Sequence, residues 1–281
     1  MPHIAHIAAL WSLVESPSRA KPWSLEGKIK AAAKAGFDGV TGALTPEHRR
    51  LAAKHGLGHL LGFISSDEPG AFAALIRAQK EGGAVHINVQ MDNHDTPPAV
   101  ATRHWIRMVR EAERIGGVVV SLEVHRDTCT ETPEKTYEIA ERYQEATGEM
   151  IKINFDFSHF AVVKHLSTDS YAARLLDHPE LVQNSEQFHF RPFNGHHCQV
   201  PVTHNGRLTP EVKSYLAFVQ AVLRLWRSAG ANRDRTLYAC PEMGPLGGFG
   251  PGGGYNITGL PPSWPDAVAL RAEIARVWAR P

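Results

Sequence analysis

Cysteine is scarce: Cys129, Cys198 and Cys240 are the only three in 281 residues. The count is odd and the spacing fits no metal finger, so neither a disulfide framework nor a thiolate zinc site is expected. Reduced thiols fit a reducing compartment, and cytoplasm is the expected location. Charge of one sign is lacking as well. Thirty Lys and Arg against 29 Asp and Glu leave a net charge of +1, which argues against a broad nucleic-acid or anionic-membrane surface. The N-terminal stretch MPHIAHIAAL has no Lys or Arg ahead of its apolar residues and is too short to span a bilayer. It is expected to be neither signal peptide nor membrane anchor. No Gly-x-Gly-x-x-Gly turn follows the first strand-like segment, which weighs against an open dinucleotide-binding sheet. What remains is an ordinary globular composition, 43% hydrophobic and 21% charged, with an unusual 16 histidines.

Apolar residues alternate between strand and helix periods from end to end. Strand-like segments fall at about 3–10, 37–44, 59–65, 84–91, 118–125, 151–160, 185–192 and 236–243. Helical patterns separate them, with Ser24 and Thr45 as N-caps, Pro46 in a first turn and Gly36 as a stop. Three of these helices are expected near 133–147, 169–183 and 210–229, and a last one near 265–279. Eight strand–helix units in alternation predict an α/β fold closed as a single (β/α)8 TIM barrel spanning residues 1–281. The Gly/Pro-rich stretch 244–255 reads as a mobile loop over its mouth.

Active sites of such barrels sit at the C-terminal ends of the strands. Side chains alternate across a strand, so the last four strand segments can be sorted by face. In VVVSLEVH, Glu123 shares a face with Ser121 and His125. In IKINFDFSHF, Asp156 shares one with Lys152, Asn154 and Ser158. In SEQFHFRP, His189 lies with Gln187 and Arg191, and in TLYACPEM, Glu242 lies with Tyr238 and Cys240. Val85, Ile87, Val89 and Met91 of the fourth strand should face the helices, leaving His86, Asn88 and Gln90 inside. Three carboxylates and an imidazole directed into one interior point to a divalent-metal site, because unpaired inward charges are costly to bury. The expected ligands are Glu123, Asp156, His189 and Glu242. His125, His159, Arg191 and Trp11 are candidate substrate contacts, while Lys152 and Cys240 should occupy deeper layers of the barrel.

An oxygen-rich set with one nitrogen suits one Mn²⁺, Co²⁺, Mg²⁺ or Zn²⁺ ion. Such an ion would leave room for two oxygens of a hydroxy-ketone, polarise the carbonyl and stabilise an enediolate. Glu123 and Glu242 could then move a proton, giving epimerisation or aldose–ketose isomerisation.

Around SLEVH, NFDFSHF, QFHFRP and PEMGP the chain resembles the xylose isomerase-like TIM-barrel superfamily of sugar phosphate isomerases and epimerases. The resemblance implies that Glu123, Asp156, His189 and Glu242 bind one metal, that the two glutamates serve as acid and base, and that His159 touches substrate. It also implies a small-molecule carbohydrate substrate and a possible homo-oligomer. One departure stands out: where epimerases of the family carry an arginine about six residues after the histidine ligand, this chain has Gly195. A lyase or dehydratase on the same site, including a keto-glycoside eliminase, is the first alternative. An endonuclease IV-like enzyme with three metals and a non-catalytic sugar- or metal-binding barrel are the others.

Overall fold

A computed structural model describes residues 2–245 and 262–280. Eight strands form one parallel sheet: β1 (His3–Ala9), β2 (Gly39–Gly42), β3 (His59–Ser66), β4 (His86–Met91), β5 (Val119–Glu123), β6 (Ile153–Asn154), β7 (Gln187–Phe190) and β8 (Thr236–Pro241). Their order is β6-β5-β4-β3-β2-β1-β8-β7. A parallel bridge between Phe155 and Phe188 joins the two ends and closes the barrel. The predicted (β/α)8 architecture is the one the chain adopts. Gly39 lets β2 approach β3, since a Cβ there would lie 2.1 Å from the His59 carbonyl oxygen.

Helices α1 (Leu25–Lys34), α2 (Pro46–Lys54), α3 (Phe72–Glu81), α4 (Pro98–Ile115) and α5 (Pro133–Thr147) follow the first five strands. Ser24 caps α1 by accepting from the Gly27 N–H, and Thr45 caps α2 in a reciprocal pair with His48. These caps satisfy donors that a helix start leaves open. Outward residues such as Ile4, Val40, Ile87, Leu122, Ile153 and Leu237 pack under the helices. Inside the barrel the apolar cluster is small: Ala5, Ile7, Ala9, Leu61 and Cys240. The rest of the interior is polar, with His86, Asn88, Ser121, Asn154 and Gln187 all buried. At the N-terminal end Glu186 holds Lys152 (2.7 Å) and Arg235 (2.6 Å), so the barrel is plugged there by charge pairs.

The sixth unit departs from expectation. The strand predicted over 151–160 ends at Phe155, and the chain turns at once into α6 (Phe157–Val163). Asp156 causes the turn, because its Oδ1 accepts from the Ser158 N–H at 3.0 Å and caps the helix. Phe157, Phe160 and Ala161 then recur at helical spacing, which four alternating residues could not reveal. His159 therefore sits in the first turn of a helix. The helix expected near 169–183 is broken into a 3₁₀ turn at Thr168–Ser170, α7 (Tyr171–Leu175) and α8 (Pro179–Asn184), which starts on a proline. Val85 lies outside β4 and is 46% exposed, so it does not pack beneath the helices.

The long connection before α9 (Pro210–Ser228) contains a small hairpin, Thr203–His204 against Arg207–Leu208. Asn205 and Gly206 turn it with φ of 49° and 72°, the left-handed geometry that an Asn-Gly pair accepts. Asp266, in α10 (Ser263–Trp278), ties this connection down by accepting from the Val202 N–H at 2.8 Å. Of the loop expected over 244–255, residues 246–255 lie outside the described residues. No described helix is long and apolar enough to cross a membrane.

Candidate active site

A cavity of about 520 Å³ opens at the C-terminal ends of the strands. Its floor is built from β4, β5, β7 and β8. Glu123 is the last residue of β5, His189 lies within β7, and Glu242 follows β8, where its N–H donates to the Phe190 carbonyl and extends the ladder by one step. His189 Nδ1 lies 2.9 Å from Glu123 Oε1 and 3.2 Å from Glu242 Oε2. One ligand atom from each of the three residues falls within 4.8 Å of the others, the only such cluster among the described residues.

The three groups converge without satisfying one another. Glu123 Oε1 and His189 Nδ1 are buried, yet neither makes a hydrogen bond of acceptable geometry. Two carboxylates this close need positive charge between them, from a protonated His189 or from a bound cation. Burial alone would raise the Glu123 carboxyl, but His189 and the Asn88 amide outweigh it and bring its pKa down to about 2. Burial likewise opposes charge on His189, and the two glutamates more than reverse that, raising its pKa well above the usual value.

Neutral amides hold this cluster in place. Asn88 Nδ2 donates to Glu123 Oε2 at 2.7 Å, and Asn88 Oδ1 accepts from Asn154 Nδ2 at 2.8 Å. His189 Nε2 faces Asn154 Nδ2 at 3.0 Å and Gln187 Nε2 at 3.2 Å. The buried Gln187 Oε1 has no partner. Turning that amide by 180° would let Oε1 accept from His189 Nε2–H and free the Nδ1 lone pair for a cation.

Asp156 stands apart from the trio. Its Oδ2 is ion-paired with Arg191 Nη2, and both side chains are buried. The same guanidinium nitrogen lies 3.0 Å from His159 Nε2 and 3.6 Å from Glu242 Oε2. Of the four expected ligands, then, three are brought together, while the fourth is engaged by an arginine that the sequence had offered as a substrate contact. Arg191 lines the cavity and is at the same time the counter-charge of Asp156.

His125 lines the cavity, its ring centroid 4.6 Å from that of His159. His125 Nδ1 lies 2.7 Å from the Arg126 carbonyl oxygen. A carbonyl only accepts, so the proton is on Nδ1 and Nε2 is left as an acceptor. Burial pushes the His125 pKa down to about 4, which keeps the ring neutral near pH 7. Trp11 lies in a 3₁₀ turn after β1 and forms part of the opposite, apolar wall with Leu10, Val14 and Leu25. Sequence reasoning put Asn88, Asn154 and Gln187 on inward faces but gave them no task. It missed Lys28 and His48, at the N-terminal ends of α1 and α2, because a charge on an amphipathic helix reads as a solvated face.

Fold and site together define a TIM barrel with an acidic–imidazole cluster at its mouth. No family model and no curated protein matches the chain. Solved structures do share its fold. The probable 3-DHS dehydratase AsbF of Bacillus anthracis aligns over 100% of both chains with a TM-score of 0.57 and 15% identity. A sugar phosphate isomerase/epimerase of Parabacteroides distasonis aligns over 100% of this chain and 98% of its own, with a TM-score of 0.59 and 10% identity. A putative xylose isomerase of Rhodospirillum rubrum covers 98% of both chains, with a TM-score of 0.58 and 15% identity. At such identities the likeness is one of fold.

Proposed function

We propose that this chain is a divalent-metal-dependent enzyme that moves a proton on a small sugar, keto-sugar or sugar phosphate, as an isomerase or epimerase. The observation that supports the reading is the convergence of Glu123, His189 and Glu242 beneath a 520 Å³ cavity. Two carboxylate oxygens and one imidazole nitrogen suit Mn²⁺, Co²⁺, Mg²⁺ or Zn²⁺, and the unsatisfied Glu123 Oε1 and His189 Nδ1 are the atoms a cation would take. Asp156 could join as a fourth ligand only by leaving Arg191. A bound ion would polarise a substrate carbonyl and offset developing negative charge.

The chain's own groups do the rest. Glu242 is only half-buried and reaches the cavity, so it is the carboxylate placed to take a proton from carbon. Glu123, fixed at Oε2 by Asn88, stands across the cluster to return one. His125 Nε2 accepts a substrate hydroxyl, and the apolar wall around Trp11 excludes water from that side. A dehydratase is the second reading: it begins with the same proton removal, and one protein of this fold is described as a probable 3-DHS dehydratase. A single cluster among the described residues supports one ion per chain over a three-metal nuclease-like centre.

NMR of a ketose panel in deuterated water with Mn²⁺ tests the reading. Solvent exchange at a carbon beside the carbonyl is expected, with Glu242→Gln lowering it by about 10²-fold or more. No exchange across the panel, or wild-type exchange in the variant, refutes it.

A further inference from the structure

The cavity is larger than its acidic floor requires, and its far side has a distinct chemistry. We infer that the substrate carries an anionic group, a carboxylate or a phosphate, bound by Lys28 and His48 where α1 and α2 begin. The inference rests on the reaction proposed above and extends it to the class of substrate.

Both side chains line the cavity. Among the described residues no acid pairs with Lys28, whose ammonium is held below its usual pKa by burial alone. The undescribed stretch 246–261, LGGFGPGGGYNITGLP, contains no Asp or Glu and so cannot supply one. His48 is oriented by its own helix cap. The Thr45 N–H donates to His48 Nδ1 at 3.1 Å, so in the neutral ring the proton belongs to Nε2, which is a donor. Burial lowers the His48 pKa; Glu47 opposes the shift, and Lys28 adds to it more weakly. A cationic donor and a neutral donor thus share one edge of the cavity.

The charge of the whole cavity agrees. Arg191 is already matched by Asp156, so Lys28 and Arg126 line the cavity against Glu123 and Glu242, and a divalent ion between the glutamates would turn that balance positive. The apolar wall of Leu10, Trp11, Val14 and Leu25 lies on the Lys28 side, and low polarity strengthens a charge-assisted hydrogen bond there. A neutral sugar would leave the ammonium half-buried without a counter-ion.

Calorimetric titration of the metal-loaded full chain with three ketoses tests this. D-fructose is the neutral probe, D-fructuronate carries a carboxylate, and D-fructose 6-phosphate carries a phosphate, each at the end away from the ketone. At least one anionic probe is expected to bind about tenfold or more tighter than fructose, the scale of one charge-assisted hydrogen bond. The tighter of the two identifies the group. Lys28→Gln should reduce that ratio to about twofold or less, and Lys28→Arg should restore most of it. Equal binding of all three probes, or a preference that survives Lys28→Gln, overturns the inference. A chain that exchanges ketose protons without an anion preference refutes the anion site alone. One that shows a Lys28-dependent preference but no exchange refutes the proposed reaction alone.

Discussion

Arg191→Met isolates the tension between the Asp156–Arg191 pair and the cation site. The guanidinium is 1% exposed and its partner carboxylate is fully buried. Removing one member of such a pair strands the other charge, which destabilises a fold by roughly 3–5 kcal/mol. For a domain of this size that corresponds to a melting point lower by about 10 °C. Arg191→Met/Asp156→Asn should recover most of the loss, because Asn removes the stranded charge while its Oδ1 can still cap α6 through the Ser158 N–H. The single variant also releases Asp156 as a ligand. Mn²⁺ at a hundred times its Kd adds about 2.7 kcal/mol to any chain that binds it only when folded. With Asp156 free, the single variant should be stabilised by a given Mn²⁺ concentration more than wild type is. Urea unfolding with and without Mn²⁺ measures both effects. A single variant as stable as wild type would show that the buried pair is not coupled as described. Equal Mn²⁺ stabilisation of the two proteins would show that Asp156 lies out of ligand reach.

Gln187→Leu removes the amide that orients His189 and should weaken Mn²⁺ binding by about 10- to 100-fold, as loss of a group holding a metal-bound histidine does elsewhere; an unchanged Kd would rule out that role. His6, on β1, gives a pH prediction. Burial lowers its pKa from 6.5 to about 4, so it is neutral when folded at a pH where the unfolded chain is protonated. The stability it supports is whole above pH 6.5 and is lost as the pH falls to about 4, by up to ~3 kcal/mol. Urea unfolding across that range should be flatter in His6→Gln, and an identical slope would exclude the assignment.

The barrel was legible because its evidence is local and repeated. Strand alternation marked the inward positions of Glu123, His189 and Glu242, and Ser24, Thr45 and Gly36 announced their helix ends. The sixth unit was not legible, because the alternation through Asp156 and Ser158 suits a strand or the first turn of a helix equally well. Only the capping hydrogen bond from Ser158 decides between them. The Asn205-Gly206 pair that turns the small hairpin is, by contrast, a local signal that the sequence carries in full.

Sequence alone determined the closed parallel barrel, the strand ends that carry the acids and imidazole, and the polar character of the interior, since each follows from period and residue type. Which of those groups meet was decided only in three dimensions. Asp156 and Arg191 lie 35 residues apart and choose each other across the β6–β7 seam, while Lys28 and His48 reach one cavity from separate helices. Such pairings depend on strand register and side-chain direction after closure, and no short stretch of sequence encodes either.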